Sequence, residues 1–346
     1  MPESLSAAGL RSPPRADLTL CPDINVKSGP RGVGKTVLLA YLASHSRESG
    51  WVAANVTSRP GMLEDIIERA TDAADELVSS APSVRITSVN VPVLFGATWE
   101  YRDPESGNWR TRMNRLLDRL QERGIGLLIT IDEIDPSLDE LIDFASTYQH
   151  FVRENRRVAL FMAGLPASVS ALLSDKSASF LRRAAQHQLG RIDDADVRAA
   201  FLETVEDAGK AIDEGALAEA VRATDGFAYM MQFVGFRMWA EARGRSRIEP
   251  EDARRGAARA REDFISGVVR KTCQELSEGD LAFLGAMLPD GEGPSSVADA
   301  ASRMGKTANY ARVYRSRLME QGVITTAARG LVRFDMSLLR EFLLEE

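Results

Sequence analysis

The chain has few of the side chains on which metal and redox sites are built. Its 346 residues include two cysteines, Cys21 and Cys273, and three histidines, His45, His150 and His187, all isolated from one another. No group of them has metal-ligand spacing, which excludes a zinc site or a disulfide framework. No apolar run approaches the roughly 20 residues of a membrane-spanning helix, and residues 1–20 lack the apolar centre of a signal peptide. The expectation is a cytoplasmic protein that does not enter a membrane. Positive charge is not in excess: a net charge of −7 excludes a chain that coats nucleic acid along its length, while leaving room for a local basic face. The 44% hydrophobic and 27% charged residues are ordinary for a globular protein, and the length allows two or three domains with cores of their own.

One stretch carries the chemistry. Residues 29–36 read GPRGVGKT, the form GxxxxGK[ST], and run directly into the apolar VLLAYL. Gly29, Pro30, Arg31, Gly32, Val33, Gly34, Lys35 and Thr36 are therefore the candidate phosphate-binding residues. Glycines let successive backbone N–H groups turn inward where a side chain would clash with phosphate. A helix starting near Lys35 aims its open N–H groups and positive dipole end at the same anion. Lys35 would reach the β- and γ-phosphates of a nucleotide, and the Thr36 hydroxyl would ligate Mg2+.

A second stretch complements the first. Residues 126–135, GLLITIDEID, are an apolar run of strand length ending in acid. Asp132 would hold Mg2+ directly or through water, and Glu133 would activate the water that attacks the γ-phosphate. Asp135 reads either as a second support for the metal or as a turn residue before Pro136.

Around these motifs strands and helices alternate. Strands are expected at 23–28, 51–56, 157–163 and 186–192, with helices at 36–45, 60–78, 109–123, 138–154 and 167–173, and a hairpin over 84–102. Such alternation predicts an α/β fold: a P-loop NTPase parallel sheet sandwiched by helices. The strand before the loop is unusual, because Asp23, Asn25 and Lys27 interrupt what should be an apolar run in a central parallel strand. From residue 193 the pattern becomes helical (193–208, 213–224, 227–243, 250–276), with Gly209, Gly226 and Gly244 as breakers. The last segment has helices at 277–288, 295–301 and 308–321, a hairpin over 323–334 and a final helix. This is the order of a winged helix-turn-helix. The expected organisation is an irregular leader (1–22), an ATPase core (23–192), an all-α lid with its connector (193–275) and a winged-helix domain (276–346).

The helix at 308–321 and its approach carry Arg303, Lys306, Arg312, Arg315 and Arg317 with no acid until Glu320, and Arg329 and Arg333 sit on the expected wing. From Lys271 onward nine Lys/Arg meet eleven Asp/Glu, so the basic face belongs to a nearly neutral module. That pattern suits phosphate contacts with DNA. Winged helices also dock proteins, and both partners stay open at this point.

GPRGVGKT, LLITIDEID, VALFMAGLP, FLRRA, DGFAYMMQFVGFRMW and the C-terminal pattern occur together and in this order. The combination resembles bacterial AAA+/STAND-like ATPases related to the origin-recognition ATPases, over residues 26–340. The resemblance implies ATP and Mg2+ as cofactors, a nucleotide-dependent homo-oligomer, and an arginine finger before the last strand, for which Arg182 and Arg183 are the candidates. It also implies a polar sensor after the fourth strand, where this chain has Gly164, and an arginine sensor in the lid, where Arg237 is a weak candidate better read as a solvent-facing charge. Relatives carry a helix and an apolar strand ahead of the loop that enclose adenine, and residues 1–28 fit that pattern poorly. Three readings follow: an ATPase whose winged helix contacts DNA, a STAND-like switch that hydrolyses slowly and docks a protein, and a truncated chain with weak or no ATP binding.

Overall fold

The seven-residue run Gly126–Asp132 is buried at six successive positions before its terminal acid. A strand can be apolar on both sides only between other strands and under helices on both faces. The computed structural model, which describes residues 24–80, 107–336 and 338–346, places it so. The leader and the hairpin expected at 84–102 lie outside the described residues.

Five strands, β1 (Ile24–Ser28), β2 (Trp51–Thr57), β3 (Gly126–Asp132), β4 (Val158–Gly164) and β5 (Ala185–Gln188), form one sheet in the order β2-β3-β4-β1-β5. Every neighbouring pair is parallel. Helix α1 (Lys35–Glu48) lies on one face. Helices α2 (Met62–Ser80), α3 (Trp109–Glu122), α4 (Asp139–Arg153) and α5 (Pro166–Ser174) cover the other. There Val26, Ile129, Leu160 and Met162 of the sheet pack against Ile66, Leu116, Phe144 and Leu172. The expected α/β sandwich is the observed one.

The polar alternation of β1 has a physical reason. Asn25 and Lys27 share register and face with Phe161 and Ala163 of β4, on the side served by α1, which lies chiefly over β2 and β3. That corner of the sheet is thinly covered: in β1 only Val26, on the opposite face, is buried, and β5 is exposed along its length. The last strand is also shorter than expected: the Leu189 N–H makes a last bond to the Ser28 carbonyl of β1, after which the chain leaves the sheet and the Ile192 N–H bonds instead to the Gly226 carbonyl.

The helical segment follows: α6 (Asp194–Asp207), the short β6 (Ala211–Ile212), α7 (Glu214–Thr224), α8 (Ala228–Glu241), β7 (Arg247–Ile248), α9 (Pro250–Phe264) and α10 (Arg270–Glu275). A π turn at Ile265–Val269 joins α9 and α10 into the one long helix expected over 250–276. Helices α8 and α9 touch backbone to side, since a Cβ on Gly256 would lie 2.5 Å from the Met238 nitrogen. Any larger residue would push the pair apart.

The C-terminal unit has α11 (Glu278–Met287), β8 (Ser295–Ser296), α12 (Val297–Arg303), α13 (Ala308–Glu320), β9 (Ile324–Ala328), β10 (Leu331–Phe334) and α14 (Leu339–Glu345). Its strands pair antiparallel in the order β8-β10-β9. Ser295 and Ser296, expected as helix, are strand: Ser296 caps α12 by accepting from the Asp299 N–H, so the helix starts two residues later than expected, at Val297. One apolar cluster runs from Val33 of the loop through Phe201, Val234 and Phe264 to Phe283, Leu318 and Val332.

Candidate active site

The loop between β1 and α1 has the geometry an anion needs. Gly32 and Gly34 sit at φ 82 and 91, where only glycine is unstrained. Gly34 is the N-cap of α1 and supplies no side chain to its first N–H groups, which stay open toward the loop. The Lys35 ammonium donates to the Gly29 and Pro30 carbonyls at 2.8 and 2.6 Å. Burial holds it below its ordinary pKa, helped by Arg31 and opposed by Asp132, Asp335 and Glu133. A triphosphate entering the loop would supply the counter-charge it lacks.

The acidic end of β3 meets this loop. Thr36 Oγ1 donates to Asp132 Oδ2 at 2.5 Å, and the Glu133 N–H donates to Asp132 Oδ1 at 2.8 Å. A hydroxyl and a carboxylate brought together beside an ammonium are hard oxygen donors, the set that suits Mg2+. Glu133 itself is exposed and held at φ 53, a left-handed conformation that a non-glycine residue adopts at some cost. Asp135 is a turn residue: its carboxylate accepts from the N–H and the hydroxyl of Ser137, at 2.9 and 2.7 Å.

A cavity of about 640 Å3 is lined by Lys35, Thr36, Asp132 and Glu133 from the core and by Ala228, Tyr229 and Gln232 from α8. Helix α8 is tied to it by backbone, since the Tyr229 N–H donates to the Gly32 carbonyl at 3.0 Å. A second cavity of about 760 Å3, lined by Val37, Tyr41, Phe201, Met231, Phe236 and Trp239 among others, adjoins the first across Gly34, Val37, Ala228 and Gln232. Its apolar walls suit a flat heterocycle, its polar neighbour a phosphate chain.

The remaining candidates divide. Arg182 caps the C-terminus of α5, donating to the Leu173 and Ser174 carbonyls at 2.8 and 3.2 Å. Arg183 is exposed and has no hydrogen bond among the described residues. Arg237 is not the solvent-facing charge expected: it is half-buried and pairs in a fork with Asp263 on α9, Nη2 to Oδ1 at 2.7 Å. Gly164 has no room for a sensor, because a Cβ there would lie 2.9 Å from the Ile134 Cβ.

Of the five basic residues before Glu320, two serve the fold. Arg303 forks onto Asp290 at 2.6 and 2.7 Å and bonds the Ala286 carbonyl. Arg317 pairs with Asp280, which is completely buried, and donates to Ser277 Oγ at 2.7 Å. Arg315 is half-buried and reaches Thr326 at 3.1 Å. Lys306 lies over the Tyr310 ring, and Arg312 is exposed beside Asn309. Arg317→Ala is expected to destabilise the chain by about 1–3 kcal/mol, because it strips a buried carboxylate of its guanidinium. Urea unfolding measures this; unchanged unfolding with weakened DNA binding would reassign Arg317 to a nucleic-acid face. Charge counting missed these pairs, and motif spacing also missed Ser168 and Gln232, two polar side chains on the walls of the phosphate-sized cavity.

The Walker-type ATPase paby2304 of Pyrococcus abyssi matches with a TM-score of 0.64 and 15% identity, over 94% of this chain and 92% of its own. The fold is that of the origin-recognition ATPases and their AAA+ relatives. The ORC2 protein of Aeropyrum pernix, in its ADPNP-ADP complexes, matches with a TM-score of 0.58 and 14% identity, over 93% of this chain and 86% of its own. Residues 266–343 match a family model described as a domain of unknown function, DUF8462. No curated protein matches the chain. Among the described residues no helix is long and apolar enough to cross a membrane.

Proposed function

We propose that the chain is a Mg2+-dependent ATPase of AAA+ type whose nucleotide state controls a C-terminal winged helix that contacts DNA. The observation that carries the ATPase reading is the 2.5 Å bond between Thr36 and Asp132, which brings the phosphate loop and the acidic strand end to one point. Lys35 exchanges the Gly29 and Pro30 carbonyls for oxygens of the β- and γ-phosphates. The open N–H groups of the loop and of α1 hold the rest of the chain of phosphates. Thr36 and Asp132 would hold Mg2+, which when bound neutralises charge on the β- and γ-oxygens. Glu133 takes a proton from water as its oxygen attacks the γ-phosphorus in line; the bond to the β-γ bridging oxygen breaks, and ADP and phosphate leave. Arg183 is the arginine left available to a neighbouring subunit.

Coupling to the C-terminal unit has its own support. Gly322, between α13 and β9, lies against Leu165 and Arg31 so closely that a Cβ would be 3.0 Å from the first and 3.4 Å from the second. Asp335, just past β10, is one of the charges that act on Lys35, and its carboxyl is pushed up by burial against the pull of Arg333 and Lys35. An anion bound at Lys35 repels that carboxylate, so phosphate binding loosens the seat of the unit. The same contact supports the second reading, a slow switch held closed by its winged helix, and Gly164 in place of a polar sensor favours slow turnover.

Salt titration separates the two. With Lys306, Arg312 and Arg329 as phosphate contacts, log K for duplex DNA should fall against log salt with a slope of about −2.7. Mg-ATP should change the affinity at one salt concentration. A flat salt response removes DNA as the partner and leaves the switch.

A further inference from the structure

A third cavity, of about 750 Å3, opens where three parts of the chain meet. The stretch leaving β5 gives Gly190 and Arg191, the turn between α7 and α8 gives Asp225, and the C-terminal unit gives Glu292, Arg333 and Arg340. The cavity shares no lining residue with the polar one at Lys35. Its hydrogen-bond donors lack acceptors. Arg340, on α14, makes no hydrogen bond or ion pair among the described residues, and its Nε is shut off from water. Arg333 on β10 has no ion pair either, and it stands beside its cross-strand partner Thr325, whose hydroxyl is also unbonded. Among the described residues the N–H groups of Gly190, Glu292 and Gly293 find no acceptor. The acids on the walls are better served. Asp225 pairs with Arg191, Asp335 faces Arg333 and Lys35, and Glu292 and Glu341 are exposed to water. An exposed carboxylate is solvated, whereas a buried guanidinium N–H without an acceptor keeps its full desolvation cost. The unmet demand of this cavity is for an anion.

We propose that this cavity binds a phosphate dianion, as a small phosphate monoester or as inorganic phosphate, held by Arg333, Arg340 and Thr325 of the C-terminal unit and by the open N–H groups at Gly190 and Gly293. Phosphate suits this donor set, because its oxygens accept parallel N–H bonds from a guanidinium fork. The volume lies within the range of small-molecule sites, roughly 300–1,000 Å3, and leaves room beside the phosphate for an organic remainder against Phe227, Met230 and Leu338. Since its walls come from the core, the helical segment and the C-terminal unit, a ligand there ties the C-terminal unit into its seat. The inference goes beyond the ATPase reading and does not depend on it.

The test is calorimetric titration of the full chain with ribose 5-phosphate, inorganic phosphate and ribose at fixed ionic strength. It is made on Lys35→Ala, which weakens the anion site of the glycine-rich loop, and on that chain with Arg340→Gln or Arg333→Gln added. Neither arginine has a partner to lose, so both added variants should keep the melting profile of their parent. Ribose 5-phosphate should bind and ribose should not. Arg340→Gln and Arg333→Gln should each weaken ribose 5-phosphate by about tenfold or more, the worth of a hydrogen bond between charged groups. Tighter binding of ribose 5-phosphate than of inorganic phosphate supports a monoester as the ligand, and equal affinity supports phosphate itself. No binding of either anion, or binding that survives both arginine substitutions unchanged, overturns the inference.

Discussion

Lys35→Ala is expected to remove Mg-ATP binding while leaving the fold intact. In the structure the ammonium bonds two carbonyls of its own loop, Gly29 and Pro30. Those carbonyls can take water instead, so the unliganded variant should melt close to the wild type. Binding is another matter. A triphosphate brings several negative charges into a cavity whose carboxylates, Asp132 and Glu133, already repel it. The dipole end of α1 and Arg31 do not replace a buried cation placed between them. Wild-type protein with Mg-ATP at 100 times Kd should gain about 2.7 kcal/mol of stability, and the variant close to none. Thermal unfolding with and without Mg-ATP measures both. An equal gain in the variant would mean that the phosphates sit elsewhere. No gain in wild type would overturn the ATPase reading.

Glu133→Gln should separate binding from chemistry. Glutamine has the shape of glutamate, tolerates the φ of 53 no worse, and keeps the backbone N–H that donates to Asp132. What it loses is the ability to accept a proton from attacking water. Removing a general base slows the chemical step by about 100- to 10,000-fold. Affinity for Mg-ATP should stay near that of wild type or tighten, because one negative charge has left the cavity. Single-turnover release of phosphate, read beside a binding titration, tests the pair of expectations. Wild-type turnover in the variant would move the base to another group. Asp135 is a poor alternative, since the Ser137 N–H and hydroxyl both bond one of its carboxylate oxygens.

Much of this site is legible along the chain because its parts are local. The glycine positions of the loop answer to φ angles set by a few neighbouring residues, and the β3 strand is a continuous apolar run. The basic segment is different. Counted along the chain it is five cations with no acid, yet Asp280 and Asp290 come from another helix and another turn to pair with Arg317 and Arg303. The face of α8 that opens to the cavities is another such case. Periodicity marks an apolar stripe there without saying that Gln232 interrupts it where two cavities meet.

By itself the sequence determined the α/β alternation, the glycine-rich loop before the first helix and the acid that ends the third strand. Each is set by interactions within one turn, one strand or one helix, whose geometry follows from residue type. Only the tertiary structure decided which cations are spoken for, why β1 can be half polar, why Gly164 carries no side chain and which residues of α8 face the cavities. Those depend on which distant segments come within a few ångströms, and packing, rather than local preference, selects them.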